Sequence, residues 1–97
     1  MQYMVEMILP NPLTKSFIDQ IPDQRNAIDG MLYDGLILNY SLSADWSRVW
    51  VIVEAQTENE VYDILSNIPM FELMGVVMTP LMVNLKPEHV LPVFSEN

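Results

Sequence analysis

The chain contains no cysteine, a single histidine and four lysines and arginines against 13 aspartates and glutamates in 97 residues. Without cysteine there is no disulfide framework, no thiolate nucleophile and no zinc-finger site. One histidine excludes a multi-histidine metal site within one subunit, and neither a metal nor a cofactor is expected. The scarcity of positive charge leaves a net charge of −9 and no Lys/Arg cluster to meet phosphates. Nucleic acids and anionic membrane surfaces are therefore excluded as partners. No uninterrupted apolar run approaches the roughly 18 residues of a membrane helix. The Met1-Gln2-Tyr3 start lacks the basic region of a signal peptide, so the expected location is the cytoplasm. Glycine is also rare. Neither Gly30 nor Gly35 sits in a phosphate-cradling pattern, and no Ser–His–Asp spacing occurs, which sets aside nucleotide binding and triad hydrolysis.

What the chain does have is apolar residues, at 51%. That suffices for one core in a single domain spanning residues 1–97. Tyr3 to Leu9 is a short apolar run closed by Pro10-Asn11-Pro12 and reads as a first strand. Phe17, Ile18, Ile21, Ile28 and Leu32 then recur at helical spacing, which predicts one long helix kinked at Pro22 and stopped by Gly35. Leu36–Leu42 and Arg48–Glu54 read as a hairpin across a turn at Ser43-Ala44-Asp45. Thr57 followed by Glu60 matches a capping box, and Val61, Ile64, Leu65 and Ile68 form the stripe of a second helix ending at Pro69. Phe71 to Met82 predicts a fourth strand, interrupted or ended near Pro80, and residues 83–97 an extended arm. The order β-α-β-β-α-β predicts a ferredoxin-like α+β fold with an antiparallel sheet.

Both helices of such a fold cover one face of the sheet. Alternation assigns Tyr3, Val5, Met7 and Leu9, Leu36, Leu38, Tyr40 and Leu42, and Val49, Val51 and Val53 to that covered face. The other face carries Met4, Glu6, Ile8, Ile37, Asn39, Ser41, Arg48, Trp50, Ile52 and Glu54, too apolar for solvent alone. Apolar patches of several hundred square ångströms mark interfaces. Two sheets packed face to face in a homodimer are expected, enclosing Glu6, Asn39, Arg48 and Trp50.

The element order, the step Ile68-Pro69-Met70-Phe71 into the fourth strand, and the first strand Tyr3-Met4-Val5-Glu6-Met7 resemble muconolactone delta-isomerase and its relatives, over roughly Tyr3 to Leu81. The resemblance implies a dimeric α+β barrel, in some relatives assembled into larger homo-oligomers, and cofactor-free lactone isomerisation. Those isomerases carry basic and imidazole side chains on the first two strands. Here these stretches read Met4-Val5-Glu6-Met7 and Ile37-Leu38-Asn39-Tyr40, with no basic residue, so no family catalytic residue is carried over.

Glu6 places a carboxylate inside an apolar strand, where burial suits it to move a proton alpha to a carbonyl. Its structural alternatives are an ion pair with Arg48 and an edge position open to water. Arg48 is suited to hold a carboxylate or carbonyl of a small organic ligand, or else to pair with Glu6 or Glu54. Trp50 and Tyr40 are candidate aromatic pocket walls or plain packing, and Trp46 a pocket mouth or a cover for the dimer edge. Asn39 completes the expected substrate-binding set. His89 is either a proton shuttle or an exposed loop residue. The eight methionines read as adaptable packing. The expected function is a small-molecule-binding dimeric barrel, as a cofactor-free isomerase with Glu6 as catalytic residue. A non-catalytic ligand-binding or assembly module and a cofactor-free monooxygenase are the alternatives.

Overall fold

The computed structural model describes residues 1–89. Strand β1 (Gln2–Ile8) leads to helices α1 (Lys15–Asp19) and α2 (Ile21–Tyr33), the hairpin β2 (Ile37–Leu42) and β3 (Arg48–Glu54), helix α3 (Glu58–Leu65), a short 3₁₀ turn at Phe71–Leu73 and strand β4 (Gly75–Leu81). The sheet order is β2-β3-β1-β4 with every neighbouring pair antiparallel. This is the ferredoxin-like α+β topology that the element order implies.

The first helical stretch is two helices, not one kinked helix. Pro22 would clash with the Ile18 carbonyl and leave no N–H to bond it, so α1 stops. Gln20 donates its backbone N–H to the Phe17 carbonyl, and Pro22 is accommodated in the first turn of α2. The buried series runs on across the break. Phe17, Gln24, Ile28 and Met31 are buried, whereas Ile18 and Leu32, expected to face the core, are exposed. Gly35 ends α2 at φ 74°. Its N–H reaches the Leu32 carbonyl and that of Leu36 reaches Met31, the paired bonds of a Schellman stop. Helix α3 is capped as its sequence implies, the Thr57 hydroxyl accepting from the Glu60 N–H at 3.2 Å. The Glu60 carboxylate reaches back to the Gln56 N–H at 3.1 Å, one residue before the cap. The fourth strand is shorter than expected because Phe71–Leu73 forms the 3₁₀ turn. Pro80 lies inside β4, an edge strand where a missing donor is tolerated. Of the expected arm, residues 90–97 lie outside the described residues, and Pro87–His89 form a 3₁₀ turn.

Tyr3, Val5 and Met7 of β1 and Val49, Val51 and Val53 of β3 are sealed against the helices, with Val61, Leu65 and Ile68 opposite them in one core. Strand β2 departs from simple alternation. Ile37 pairs with Val53 while Asn39 pairs with Ile52, so Leu38 is the extra residue of a β-bulge. The bulge corrects two assignments: Ile37 belongs to the core rather than the open face, and Leu36 is exposed. Asn39 repairs the ladder at the bulge, its Oδ1 accepting the Ile52 N–H at 2.9 Å.

The turn from β2 to β3 is closed by side chains. Asp45 Oδ1 accepts from the Ser47 hydroxyl at 2.7 Å, the Ser43 hydroxyl at 2.8 Å and the Ser47 N–H at 3.0 Å. Ser43 Oγ in turn accepts the Arg48 N–H at 2.9 Å. Trp46 sits inside this knot at φ 62°, the one non-glycine with positive φ among the described residues.

Two outcomes follow for stability. Asn39→Ala leaves the N–H of buried Ile52 without its acceptor and should cost about 1–2 kcal/mol in urea unfolding, while Asn39→Asp, which keeps an acceptor, should lose less. The Ser47 hydroxyl, then the Ser43 hydroxyl and the Ser47 N–H, hold the Asp45 carboxyl below its ordinary value. A carboxyl depressed on folding stabilises the native state above its unfolded pKa, and that contribution is lost as pH falls through the folded one. Asp45→Asn should therefore flatten the acid limb of a thermal-midpoint profile and leave the neutral region's slope unchanged.

Candidate functional site

The sheet's two faces carry two different sets of groups. On the open face the cross-strand rows run Ser41, Trp50, Glu6, Val77 and, one step along, Asn39, Ile52, Met4, Thr79. Glu6 and Arg48 lie diagonally on adjacent strands, with Glu6 Oε1 3.3 Å from Arg48 Nε. Their side chains are 34% and 41% exposed. The pair thus sits within an apolar surround of Met4, Ile8, Trp50 and Val77 while still reaching solvent. Ile8, Trp50 and Val77 are exposed to 38%, 37% and 51%.

The helix-covered face holds a cavity of about 200 Å³ between α1, α2 and the ends of β1 and β2. Its walls are apolar: Leu9, Phe17 and Ile28 on one side, Tyr40 and Leu42 of β2 on the other, and Trp46 from the turn. The bulge in β2 matters here, because it returns Tyr40 and Leu42 to the helix side after Ile37. Two polar residues break the apolar lining. Gln24, 5% exposed, accepts the Met70 N–H through Oε1 at 3.3 Å. That bond fixes the amide orientation, and the Nε2 group has no partner among the described residues. It is available to donate to an oxygen placed in the cavity. Arg25, whose Nε donates to Asp29 Oδ1 at 2.9 Å, borders the same space from the exposed side of α2. A smaller space of about 150 Å³ adjoins it, bordered by Pro10, Asn11, Asp45, Trp46 and Ser47.

The residues singled out in the sequence are thereby divided. Glu6, Arg48, Trp50 and Asn39 share the open face, and the Asn39 carbonyl is engaged by the bulge. Tyr40 lies across the sheet, in the cavity with Trp46. Phe17, Gln24, Arg25 and Ile28 were not anticipated as site residues. Gln24 carried a usable signal, since it falls in the buried series Phe17, Ile21, Gln24, Ile28, Met31, and a lone polar residue in an apolar phase demands a partner. Nothing comparable marks Arg25. The His89 side chain lies outside the described residues. No group of three or more His, Cys, Asp or Glu able to hold a metal occurs among the described residues. No helix among them is long and apolar enough to cross a membrane.

No family model matches the sequence, and no curated protein matches it. Among solved structures the fold is similar to that of 5-chloro-2-hydroxyhydroquinone dehydrochlorinase from Burkholderia phenoliruptrix, in complex with 2,5-dihydroxybenzoquinone, with a TM-score of 0.67 and 16% identity. The match covers 87% of this chain and 96% of that one. At that identity the likeness concerns the ferredoxin-like α+β fold alone.

Proposed function

We propose that the protein is a homodimeric α+β barrel that binds a small, oxygen-bearing ring compound in the cavity between its helices and sheet. The observation that carries this reading is the lining: apolar on nearly all sides, with the Gln24 amide donor free inside it. A cavity of about 150 Å³ with aliphatic and aromatic walls already accepts benzene. The roughly 200 Å³ here suits one substituted ring, too little for a nucleotide or a polycyclic skeleton. Phe17 and Tyr40 would flank the ring, and Gln24 would donate to a ring oxygen. The structural neighbour binds 2,5-dihydroxybenzoquinone, a ligand of this class.

Self-association is the second part of the reading. The open face exposes Ile8, Trp50 and Val77 together, and just beyond β4 Met82, Val83 and Leu85 are exposed to 98%, 67% and 76%. Covering both would remove two apolar surfaces from water. In such a dimer the Glu6–Arg48 pairs of two copies face one interior. A specific observation favours chemistry there: the pair is partly desolvated and ringed by aliphatic side chains. Glu6 would move a proton alpha to a carbonyl that Arg48 holds, with Trp50 as a wall. That is cofactor-free isomerisation of the muconolactone isomerase type.

Leu42→Trp places an indole in the cavity from a partly exposed edge position. Calorimetry should show 2,5-dihydroxybenzoquinone or phenol binding to the native chain and a loss of at least about tenfold in the variant. Equal binding by both would remove the cavity from the reading. In sedimentation equilibrium at micromolar concentration the native chain should be a dimer and Trp50→Glu a monomer, because a charge on each copy would be buried unpaired. Glu6→Gln should stay dimeric. If it also retained all lactone-dependent solvent proton exchange, Glu6 would have no catalytic part.

A further inference from the structure

Trp46 borders both the ring-sized cavity and the smaller space beside it. The two spaces are also contiguous along the chain, since Leu9 lines the first and Pro10 the second. Their chemistry differs. The larger is mostly apolar, whereas in the smaller one Asn11, Asp45 and Ser47 set polar groups among the walls of Pro10, Leu13 and Trp46. Every hydrogen bond that Asp45 accepts from the described residues falls on Oδ1, which leaves Oδ2 to accept a donor from outside the turn.

A tryptophan is an expensive choice for this position. The left-handed backbone costs a residue with a Cβ about 1 kcal/mol or more, and glycine would hold φ 62° without it. The three-bond knot on Asp45 keeps the backbone there, so the indole's place is maintained against a local preference.

We propose that Trp46 is a specificity-determining residue that partitions an apolar ring chamber from a polar annex. The annex takes the hydrogen-bond donor, a hydroxyl or an ammonium, at the far end of a ligand whose ring occupies the chamber. This rests on the chamber binding a ring as proposed above. With Trp46 in place the ligand is limited to one compact ring. With the partition withdrawn, the joined space exceeds the roughly 300 Å³ at which ordinary ligand pockets begin, and a ring with a donor-bearing chain fits. Asp45 then has two roles: its Oδ1 holds the turn and its Oδ2 meets the donor.

The test uses the full chain and Trp46→Gly, a replacement suited to the positive φ. Phenol reports the chamber alone, and tyramine reports chamber plus annex, with p-ethylphenol as its counterpart lacking the amine. In calorimetry Trp46→Gly should show a tyramine gain, a tyramine-to-phenol affinity ratio about tenfold above that of the native chain, with phenol itself weakened by loss of the indole wall. p-Ethylphenol should gain less than tyramine, and adding Asp45→Asn should remove the tyramine gain. Phenol binding to both proteins without a tyramine gain would overturn the partition and leave the chamber reading standing. Absence of phenol binding to either would overturn both. A second measurement needs no change at position 46. In Trp50→Phe, Trp46 is the sole tryptophan, and its emission should shift on saturation with phenol. Phenol binding with unaltered emission would place Trp46 away from the ring and overturn its role.

Discussion

Strand β1 is hydrogen-bonded on both sides, to β3 and to β4, and everything else is arranged around that pairing. A strand held from both edges has no freedom to slip or rotate, so its period of two becomes a fixed division of space. Tyr3, Val5 and Met7 must go to one side and Met4, Glu6 and Ile8 to the other. The helices can cover only one of these sides, because both crossovers pass over the same face. The six sealed side chains of β1 and β3 then form the floor on which α1, α2 and α3 pack. The placement of a carboxylate on the uncovered side is a direct consequence of its position in the same strand.

The parts of the molecule that follow from short-range physics were legible in the sequence. Strand β3, the capped start of α3, the glycine stop after α2 and the inward sets of β1 and β3 each depend on period or on a cap, which neighbouring residues encode. The ion pair between Glu6 and Arg48 is one of the readings the sequence offers and needs only the diagonal relation of two strands, whereas an edge position for Glu6 is excluded by the central place of β1. What was not legible traces to one misfit residue in each of two places. Pro22 reads equally as a kink or as the first turn of a new helix, and the buried series closes on Met31 rather than on Leu32. The bulge at Leu38 has no local signature, since Ile37-Leu38-Asn39 alternates without fault as written. Its cause is tertiary: Ile37 fits the core beside Val53, and Asn39 supplies the acceptor that the displaced ladder lacks. The cavity depends on the bulge, which keeps Tyr40 and Leu42 on the helix side after Ile37 has turned inward, and on the helical series that carries Gln24 inward from Phe17. A site that depends on a tertiary irregularity is the part of a fold least available to pattern reading.

The two faces differ in what they can do chemically. The open face has the strong charges and lacks an enclosure of its own. The covered face has partial enclosure and carries the Gln24 amide donor and an arginine at its edge. Enclosure without charge is suited to binding, since apolar walls contribute affinity and the Gln24 amide contributes orientation. Charge without enclosure gains chemical force only when water is excluded, which a second copy would accomplish. Association through the sheet therefore affects the Glu6–Arg48 pair directly and the helix-side cavity only through the strands between them.

Net charge narrows the ligand class further. A chain at −9 repels anions at long range, and Arg25, already bonded to Asp29, offsets only part of this at the cavity edge. A dianionic acid would have to shed its hydration inside an apolar chamber whose one buried donor is a neutral amide, at a cost that one such hydrogen bond does not repay. A neutral phenol, quinone or lactone avoids this desolvation while keeping an oxygen for Gln24. A cationic substituent would gain from the overall field wherever it remained near the surface, as it does beside Asp45. Size and polarity of the cavity and the sign of the chain's charge would thus favour the same class of molecule, a neutral ring or one whose positive charge lies at its outer end.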